Sequence, residues 1–324
     1  MNTPSKIFFR ILMLSLVVVL FQACSLKIPI SDPKISETSY LASAKSEKLE
    51  VQFQSKLNKN HSVATGDKTN IFVLQHNGEE IKANGYIKSA LEKEFLAREI
   101  ALNFNDSNNK LILEDFEILT HRVSGFSPLL TVSTLKIKIN KDGKDKIFIS
   151  MIKRGKLPVW TMSEVFEPCY NEATTLLIRE VVAKINRSYF GNKFSDKYIE
   201  QLENRIRTNK NAKQTYMDVY ELGFSNNLKS IDFLKILINS SDEYIRMAAI
   251  SSIGTLGDSN QFDYLVSLNI KSESWQDKAM ALKSIGDLDI QKGYDYLKER
   301  RDFWQGKSTK EAIWSLKVIN LYLE

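Results

Sequence analysis

Residues 242–258 read Asp-Glu-Tyr-Ile-Arg-Met-Ala-Ala-Ile-Ser-Ser-Ile-Gly-Thr-Leu-Gly-Asp. Apolar residues recur in this stretch at helical spacing, which predicts a helix with one stripe facing a neighbour. Asp242 lies where an acidic residue favours a helix N-terminus, and Gly257 lies where a helix ends in a left-handed residue. Small residues, among them Ala248 and Gly254, would let a second helix approach closely. The stretch therefore predicts a packed helix with defined ends.

The same pattern recurs along the last third of the chain. Gly254 follows an aliphatic residue, and so do Gly286, 32 residues later, and Gly223, 31 residues earlier. Towards the C-terminus, residues 312–319 keep an apolar stripe but have no matching glycine. Terminal repeats of a solenoid are commonly atypical, because one of their faces has no neighbour. The periodicity favours a short α-solenoid over an unrelated helical bundle.

These residues resemble a short HEAT-like repeat. In that repeat an acidic start and a first-turn arginine precede an alanine pair and a Leu-Gly-Asp stop. The matching positions here are Arg246, Ala248, Ala249 and residues 256–258. The resemblance implies an all-α HEAT-like solenoid over residues 192–324, which is a scaffold for protein contacts and carries no chemistry of its own.

The N-terminus predicts export from the cytoplasm. Lys6 and Arg10 form a basic start, and an apolar run follows over residues 11–21. That run is shorter than the roughly twenty residues that a membrane-spanning helix needs. A signal peptide is therefore expected here.

The end of the apolar run resembles a bacterial lipoprotein signal. Residues 20–24 read Leu-Phe-Gln-Ala-Cys, although Phe21 stands where the family usually has leucine. The resemblance implies that residues 1–23 are a signal peptide and that Cys24 carries the lipid, including palmitate. Ser25 follows Cys24, which by the same resemblance favours the outer membrane, facing the periplasm. An ordinary secretory signal and an uncleaved anchor are the alternatives.

The charge of the chain gives no case for nucleic acid. The formal net charge is +6 over 324 residues, and it falls to +4 without residues 1–23, which carry two positive charges and no negative ones. Such a small surplus does not indicate a nucleic-acid surface. The length suggests two domains, and 43% hydrophobic residues is typical of globular protein.

Residues 24–48 are predicted to be a flexible tether, because Pro29, Pro33 and several serines disfavour both a helix and a buried strand. Residues 49–191 then alternate between strand and helix patterns, with a hairpin turn at Asp142-Gly143. The predicted strands are 51–53, 70–75, 110–119, 129–140 and 145–152, and the predicted helices are 86–98 and 163–188. The expected fold is an α+β domain with an antiparallel or mixed sheet and two helices.

The order of these elements is similar to that of periplasmic lipoproteins of the ABC-transport auxiliary type. The similarity rests on that order and on residues 86–95 followed by residues 110–114. It implies a domain that binds partners in envelope complexes and has no catalytic residues. A generic α+β sandwich is the alternative.

The sequence contains no constellation that indicates catalysis or a metal site. His61, His76 and His121 are not spaced as zinc ligands, and no HExxH, CxxC, Gly-x-Ser-x-Gly or phosphate-binding loop occurs. Cys169 has apolar neighbours and is predicted to be a small buried hydrophobe. No catalytic residue, cofactor or metal is therefore expected.

One basic and aromatic cluster near the C-terminus is a possible contact surface for a partner. Its residues are Lys298, Arg300, Arg301 and Trp304, with Phe303 and Lys307 beside them. Such a cluster fits an acidic partner or lipid headgroups. The alternative is the outer face of a repeat helix with one or two core aromatics.

Together these observations predict a lipid-anchored cell-envelope protein that acts as a non-enzymatic scaffold or adaptor. Its expected partners are the membrane, through Cys24, and envelope proteins, but no nucleic acid. The alternative function is an auxiliary component of an envelope transport system that contacts lipid or a transporter.

Overall fold

The computed structural model describes residues 26–44, 47–58, 63–65, 72–122, 127–156, 159, 161–209 and 212–324. The predicted signal peptide, Cys24 and His61 lie outside these residues. The described N-terminal half contains a mixed β-sheet with packed helices, and the described chain after residue 195 is helical. The predicted layout, an α+β half followed by a helical half, is the one observed.

The elements are numbered here in chain order. The strands are β1 (Leu26–Pro29), β2 (Leu49–Ser55), β3 (Ala64–Thr65), β4 (Phe72–His76), β5 (Glu79–Glu80), β6 (Leu102–Phe104), β7 (Lys110–His121), β8 (Leu129–Lys141) and β9 (Lys144–Lys156). The α-helices are α1 (Ala83–Ala97), α2 (Glu172–Tyr189), α3 (Asp196–Thr208), α4 (Ala212–Phe224), α5 (Ile231–Leu237), α6 (Glu243–Leu256), α7 (Phe262–Lys271), α8 (Trp275–Asp287), α9 (Gln291–Trp304) and α10 (Lys310–Leu323).

The main sheet has the strand order β6-β2-β7-β8-β9, with β3 beside β7. β2 runs parallel to β6 and β7, whereas β7, β8 and β9 form an antiparallel meander. β8 and β9 are joined by the predicted turn, because Asp142 and Gly143 both have positive φ, of 52° and 76°. Leu135, Ile137 and Ile139 are fully buried and alternate with more exposed residues. The period-2 pattern and the turn are thus confirmed.

The closing helix of the N-terminal half is interrupted near its start. A helical turn at Ser163–Val165 and a π-helical turn at Phe166–Asn171 precede α2, where the sequence predicts one continuous helix. Pro168 lies inside the π-helical turn. Proline has no backbone N–H and crowds the preceding turn, so it disrupts the α-helical ladder at this point.

The structure differs from the expected tether between residues 26 and 44. β1 pairs in parallel with β4, and the chain then follows α2, where the Ser31 amide donates to Asn171 Oδ1 at 3.0 Å. Ile28, Ile30 and Tyr40 are buried. These isolated apolar side chains hold the segment against the body, while the polar residues between them, which suggested a tether, face outward.

In the helical half, α4, α6, α8 and α10 stack in sequence order through small residues. A Cβ atom on Gly254 of α6 would lie 2.5 Å from Ser284 Cα of α8, and one on Gly286 would lie 2.5 Å from Tyr322 Cδ1 of α10. The Ser284 hydroxyl donates to the Ile250 carbonyl at 2.7 Å. The glycines at the predicted repeat spacing are therefore the points of closest helix approach.

The helical half covers the edge of the main sheet. β9 is the terminal strand of the meander, and two of its carbonyls accept bonds from side chains of helices. Lys184 Nζ of α2 donates to Ile149 O at 2.6 Å, and the Tyr244 hydroxyl of α6 donates to Gly155 O at 2.9 Å. Covering an edge in this way blocks pairing with another chain.

Buried ions join the sheet side to the helical side. Glu180 and Lys184 of α2 meet Lys283 and Asp287 of α8, and all four side chains are at most 4% exposed. Lys184 Nζ lies 2.7 Å from Glu180 and 2.6 Å from Asp287, and Lys283 Nζ lies 2.8 Å from Asp287. The Ser150 hydroxyl of β9 donates to Glu180 at 2.6 Å. Each buried charge has an opposite partner, which burial requires.

Arg187 binds the opposite end of the stack from these strands. Its guanidinium donates to Gly254 O and Thr255 O near the end of α6, and to Asp287 O at the end of α8 at 3.0 Å. Helix C-terminal carbonyls have no intrahelical donors and favour a cation. Arg187 thus fixes α6 and α8 to α2.

Candidate functional site

A cleft of about 650 Å³ lies where the end of β9 meets the π-helical turn and the helical half. We name it the Arg154 cleft. The residues used below to describe it are Lys153, Arg154, Glu172, Tyr216, Glu243, Tyr244, Trp275 and Lys310. They come from β9, α2, α4, α6, α8 and α10, so both halves of the chain build this cleft.

The helical stack presents its N-terminal ends to the cleft. Glu243, Trp275 and Lys310 are the first residues of α6, α8 and α10. Their spacing along the chain follows the repeat, so one repeated position contributes three different side chains. Helix N-termini carry partial positive charge, which adds to the positive potential at this end of the stack.

Two adjacent cations at the end of β9 form the floor. Lys153 and Arg154 are 7% and 6% exposed, although sequence neighbours on a strand point to opposite faces. Lys153 extends towards α6 and α8, and Arg154 towards the π-helical turn and α4. Both are buried because the helical half covers this corner of the sheet.

Arg154 lies between two tyrosine rings. Its guanidinium carbon is 4.0 Å from the ring centre of Tyr216 and 4.1 Å from that of Tyr244. Its Nε donates to the Pro168 carbonyl at 3.3 Å, and its Nη2 lies 3.5 Å from Glu172. Within the described part of the chain, its buried Nη1 has no hydrogen-bond acceptor. Stacking and three anchoring contacts hold the group still, with one donor unused.

Lys153 is paired, in contrast. Its Nζ lies 2.6 Å from Glu243 Oε1, 5.6 Å from the ring centre of Trp275 and 5.9 Å from that of Tyr244. Burial lowers the pKa of Lys153, and the carboxylate of Glu243 opposes that effect. Trp275 is itself held by stacking on Trp314, with ring centres 5.8 Å apart.

The tyrosine hydroxyls are committed donors. Burial raises the pKa of Tyr244 to about 12, and it also raises the pKa of Tyr216 well above its ordinary value. Tyr216 donates to Glu172 and Tyr244 donates to Gly155 O. Both side chains therefore act as neutral walls, and the cleft is equipped to hold a hydrogen-bond acceptor beside a fixed arginine.

The cluster predicted at residues 298–304 lies elsewhere, on α9. Arg300 stacks over Phe303 at 4.2 Å and lies 5.4 Å from the ring centre of half-buried Trp304. Lys298 is exposed and lies 3.6 Å from Asp295, and Arg301 is half-buried on the same helix. The structure thus brings Arg300 and Trp304 together, and a partner at this surface stays a prediction.

The other residues considered in the sequence have structural surroundings. Cys169 is fully buried in the π-helical turn, which confirms its predicted role as a small hydrophobe. His76 Nε2 lies 3.0 Å from Asp32, and His121 ends β7 at the surface. Among the described residues, no group of three or more His, Cys, Asp or Glu is placed to hold a metal ion.

Sequence reasoning did not single out any residue of the cleft floor. Two signals were present: Lys153-Arg154 directly continues an apolar strand pattern, and Pro168 interrupts a helix pattern. Charged residues at such a position are usually solvated, and their burial depends on residues far along the chain. Glu243, for example, is 90 positions from Lys153.

Comparisons with known proteins add little. No known protein family and no curated protein matches the sequence. Among solved structures, one titled as the crystal structure of an uncharacterized protein is similar over 50% of this chain and 98% of that one, with a TM-score of 0.29 and 10% identity. This similarity carries no argument about function. No helix in the described part of the chain is both long and apolar enough to span a bilayer.

Proposed function

We propose that this protein is a lipid-anchored scaffold or adaptor of the bacterial cell envelope, which binds a partner and performs no reaction. The observation that carries the proposal is the Arg154 cleft. It is built by both halves of the chain and holds a buried, stacked arginine with one donor that no described residue accepts. Such a site recognises a ligand group by hydrogen bonding.

We further propose that α4 to α10 form HEAT-like repeats. Gly223, Gly254 and Gly286 recur at intervals of 31 and 32 residues, and each abuts the next helix of the stack. The serine contacts recur as well, since Ser252 donates to Val219 O at 3.0 Å and Ser284 donates to Ile250 O at 2.7 Å. Repeats of this type serve as surfaces for protein binding.

The lipid anchor at Cys24 belongs to the same proposal. β1 begins at Leu26, two residues after Cys24, and two residues span at most about 7 Å. An acylated Cys24 would hold the folded body directly at the bilayer surface. That closeness also favours a second candidate function, in which the protein is an auxiliary transport component that contacts lipid or a transporter.

Metabolic labelling with a palmitate analogue tests the anchor. We expect label on the wild type and on Cys169→Ala, the matched cysteine variant, but not on Cys24→Ala. A wild type without label would leave an ordinary secretory signal and would remove the anchor from the proposal.

Photocrosslinking in the living cell tests the adaptor role. A photoreactive residue replaces Gln276 in the cleft, Lys298 on α9 or, as a control, Leu96, which is 79% exposed on α1. The scaffold predicts protein adducts from Gln276 and few from Leu96. Adducts with lipid alone at the Gln276 position favour the transport candidate, and equal yields at Gln276 and Leu96 contradict a specific cleft.

A further inference from the structure

The unused donor of Arg154 indicates what the cleft lacks. Arg154 is buried, and its Nε and Nη2 are engaged by Pro168 and Glu172. Its Nη1 is buried too, but no acceptor lies within reach among the described residues. A buried guanidinium donor without an acceptor is unfavourable, and a ligand oxygen at this position relieves it.

The carboxylates around the cleft are already engaged by other groups. Asp242 accepts the amides of Tyr244 and Ile245 at the start of α6, at 2.8 and 3.0 Å. Glu243 pairs with Lys153, and Glu164 accepts the Thr161 amide at 3.2 Å. The fixed acids therefore satisfy their own neighbours, and the donor that stays open is the one on Arg154.

We propose that the Arg154 cleft binds one carboxylate, carried by an aspartate or glutamate side chain in a segment of the partner protein. This inference rests on the proposed adaptor function and specifies the group that the adaptor recognises. The carboxylate accepts a bond from Arg154 Nη1, and the segment leaves the cleft past Trp275 and Lys310. Lys310 Nζ lies 4.9 Å from the Trp275 ring centre, and both residues line the cleft.

A single carboxylate suits the local charge better than a lipid phosphate. Glu172 lies 3.5 Å from Arg154 and Glu243 lies 2.6 Å from Lys153, so most of the positive charge at the floor is balanced. A doubly charged phosphate would meet these acids as like charges. The aromatic side chains Tyr244 and Trp275 offer flat surfaces of the kind that protein interfaces favour.

The test uses a random dodecapeptide display library selected on the mature, purified protein. We expect selected peptides to share an acidic residue, and changing that residue to its amide should weaken binding at least about tenfold. Arg154→Gln should cause a similar loss, with no further loss when both changes are combined. Arg207→Gln is the matched control, because Arg207 stacks on Phe233 at 4.2 Å far from β9 and is 53% exposed.

Two further measurements keep the test decisive if Arg154→Gln does not fold. Lys310→Gln changes an exposed residue at the mouth and should weaken the selected peptides about threefold. Peptides selected without an acidic residue, or binding that Arg154→Gln leaves unchanged in a folded protein, would overturn the inference. Binding to phosphatidylglycerol vesicles that requires Arg154, with no acidic peptide bound, would overturn it as well.

The outcome for the carboxylate is separable from that for the adaptor. Crosslinks from position 276 that persist in a folded Arg154→Gln variant would leave the scaffold in place and refute the carboxylate. Acidic peptides that bind in an Arg154-dependent manner, without any protein crosslink in cells, would support the carboxylate and contradict the adaptor.

Discussion

Arg98 on α1 and Glu221 on α4 form a buried ion pair that joins the two halves of the chain. Arg98 Nη1 lies 2.7 Å from Glu221 Oε1, and the two side chains are 1% and 9% exposed. Glu94 also contacts Arg98 at 3.0 Å, and the guanidinium carbon lies 5.0 Å from the ring centre of Phe194. The contact connects elements that are 123 residues apart.

Removing one partner of this pair should destabilise the whole protein. We expect Glu221→Gln to lower the free energy of unfolding by about 3–5 kcal/mol, because it leaves the buried Arg98 charge partly uncompensated. Asp218→Asn is the control, since Asp218 pairs with Arg205, which is 53% exposed, and should cost less than about 1 kcal/mol. Urea unfolding of both variants measures the difference, and equal losses would contradict this account.

Acid should weaken the protein through the same residues. Burial alone would raise the pKa of Glu221, but Arg98 outweighs burial and holds that pKa below its ordinary value of 4.5. Lys184 and Lys283 likewise outweigh burial and hold the pKa of Asp287 below its ordinary value.

The sign of the pH dependence follows from these lowered values. Around the ordinary carboxyl pKa the unfolded chain binds more protons than the folded one, so stability rises with pH. The contribution is complete above the ordinary value and is lost as pH falls through the folded value. Urea midpoints measured from about pH 6 to about pH 3 should fall less steeply for Glu221→Gln than for the wild type. Parallel slopes would exclude Glu221 as a source.

Close helix packing should make Gly254 intolerant of a methyl group. Gly254→Ala places a Cβ 2.5 Å from Ser284 Cα and 2.7 Å from its carbonyl oxygen, so backbone must shift. We expect a loss of about 1–3 kcal/mol. Gly85→Ala in α1 is the control, because no atom lies within 4 Å of its added Cβ, and alanine there should be neutral or stabilising by up to about 1 kcal/mol. Destabilisation by both changes alike would argue against tight stacking.

We expect the two halves to unfold together. Buried apolar residues form one cluster that extends from Ile28 to Ile319, and charged contacts cross between the halves inside it. In a Cys24→Ser protein, the reactivity of the buried Cys169 thiol reports on the N-terminal half, and tryptophans 275, 304 and 314 report on the helical half. Their urea midpoints should coincide, and separated midpoints would show two independently stable units.

The regular elements of the fold follow from local sequence patterns. The alternation around Ile137, the Asp142-Gly143 turn and the repeat spacing of Gly254 each depend on a few neighbouring residues. The packing of residues 26–44 does not, because Ile28 and Tyr40 are isolated apolar residues in a polar segment. Only the surface of α2 makes their burial possible, and a local pattern contains no information about that surface.

The cleft depends on distant parts of the chain to a still greater degree. Arg154 becomes a buried, stacked cation only when Tyr216 and Tyr244 reach it from helices more than sixty residues later. Repeat spacing alone predicts that α6, α8 and α10 begin at one end of a stack. It does not predict that this end meets the last residues of β9, because that contact depends on how α2 orients the two halves.

The covered edge of β9 has a consequence for the biogenesis of the protein. A chain made from its N-terminus completes β9 at Lys156, well before α6, which supplies Tyr244, and α8 have emerged. During that interval the strand displays open backbone groups that another nascent copy can pair with. A product truncated before α6 should therefore aggregate, and the late-emerging helices protect the sheet from self-association.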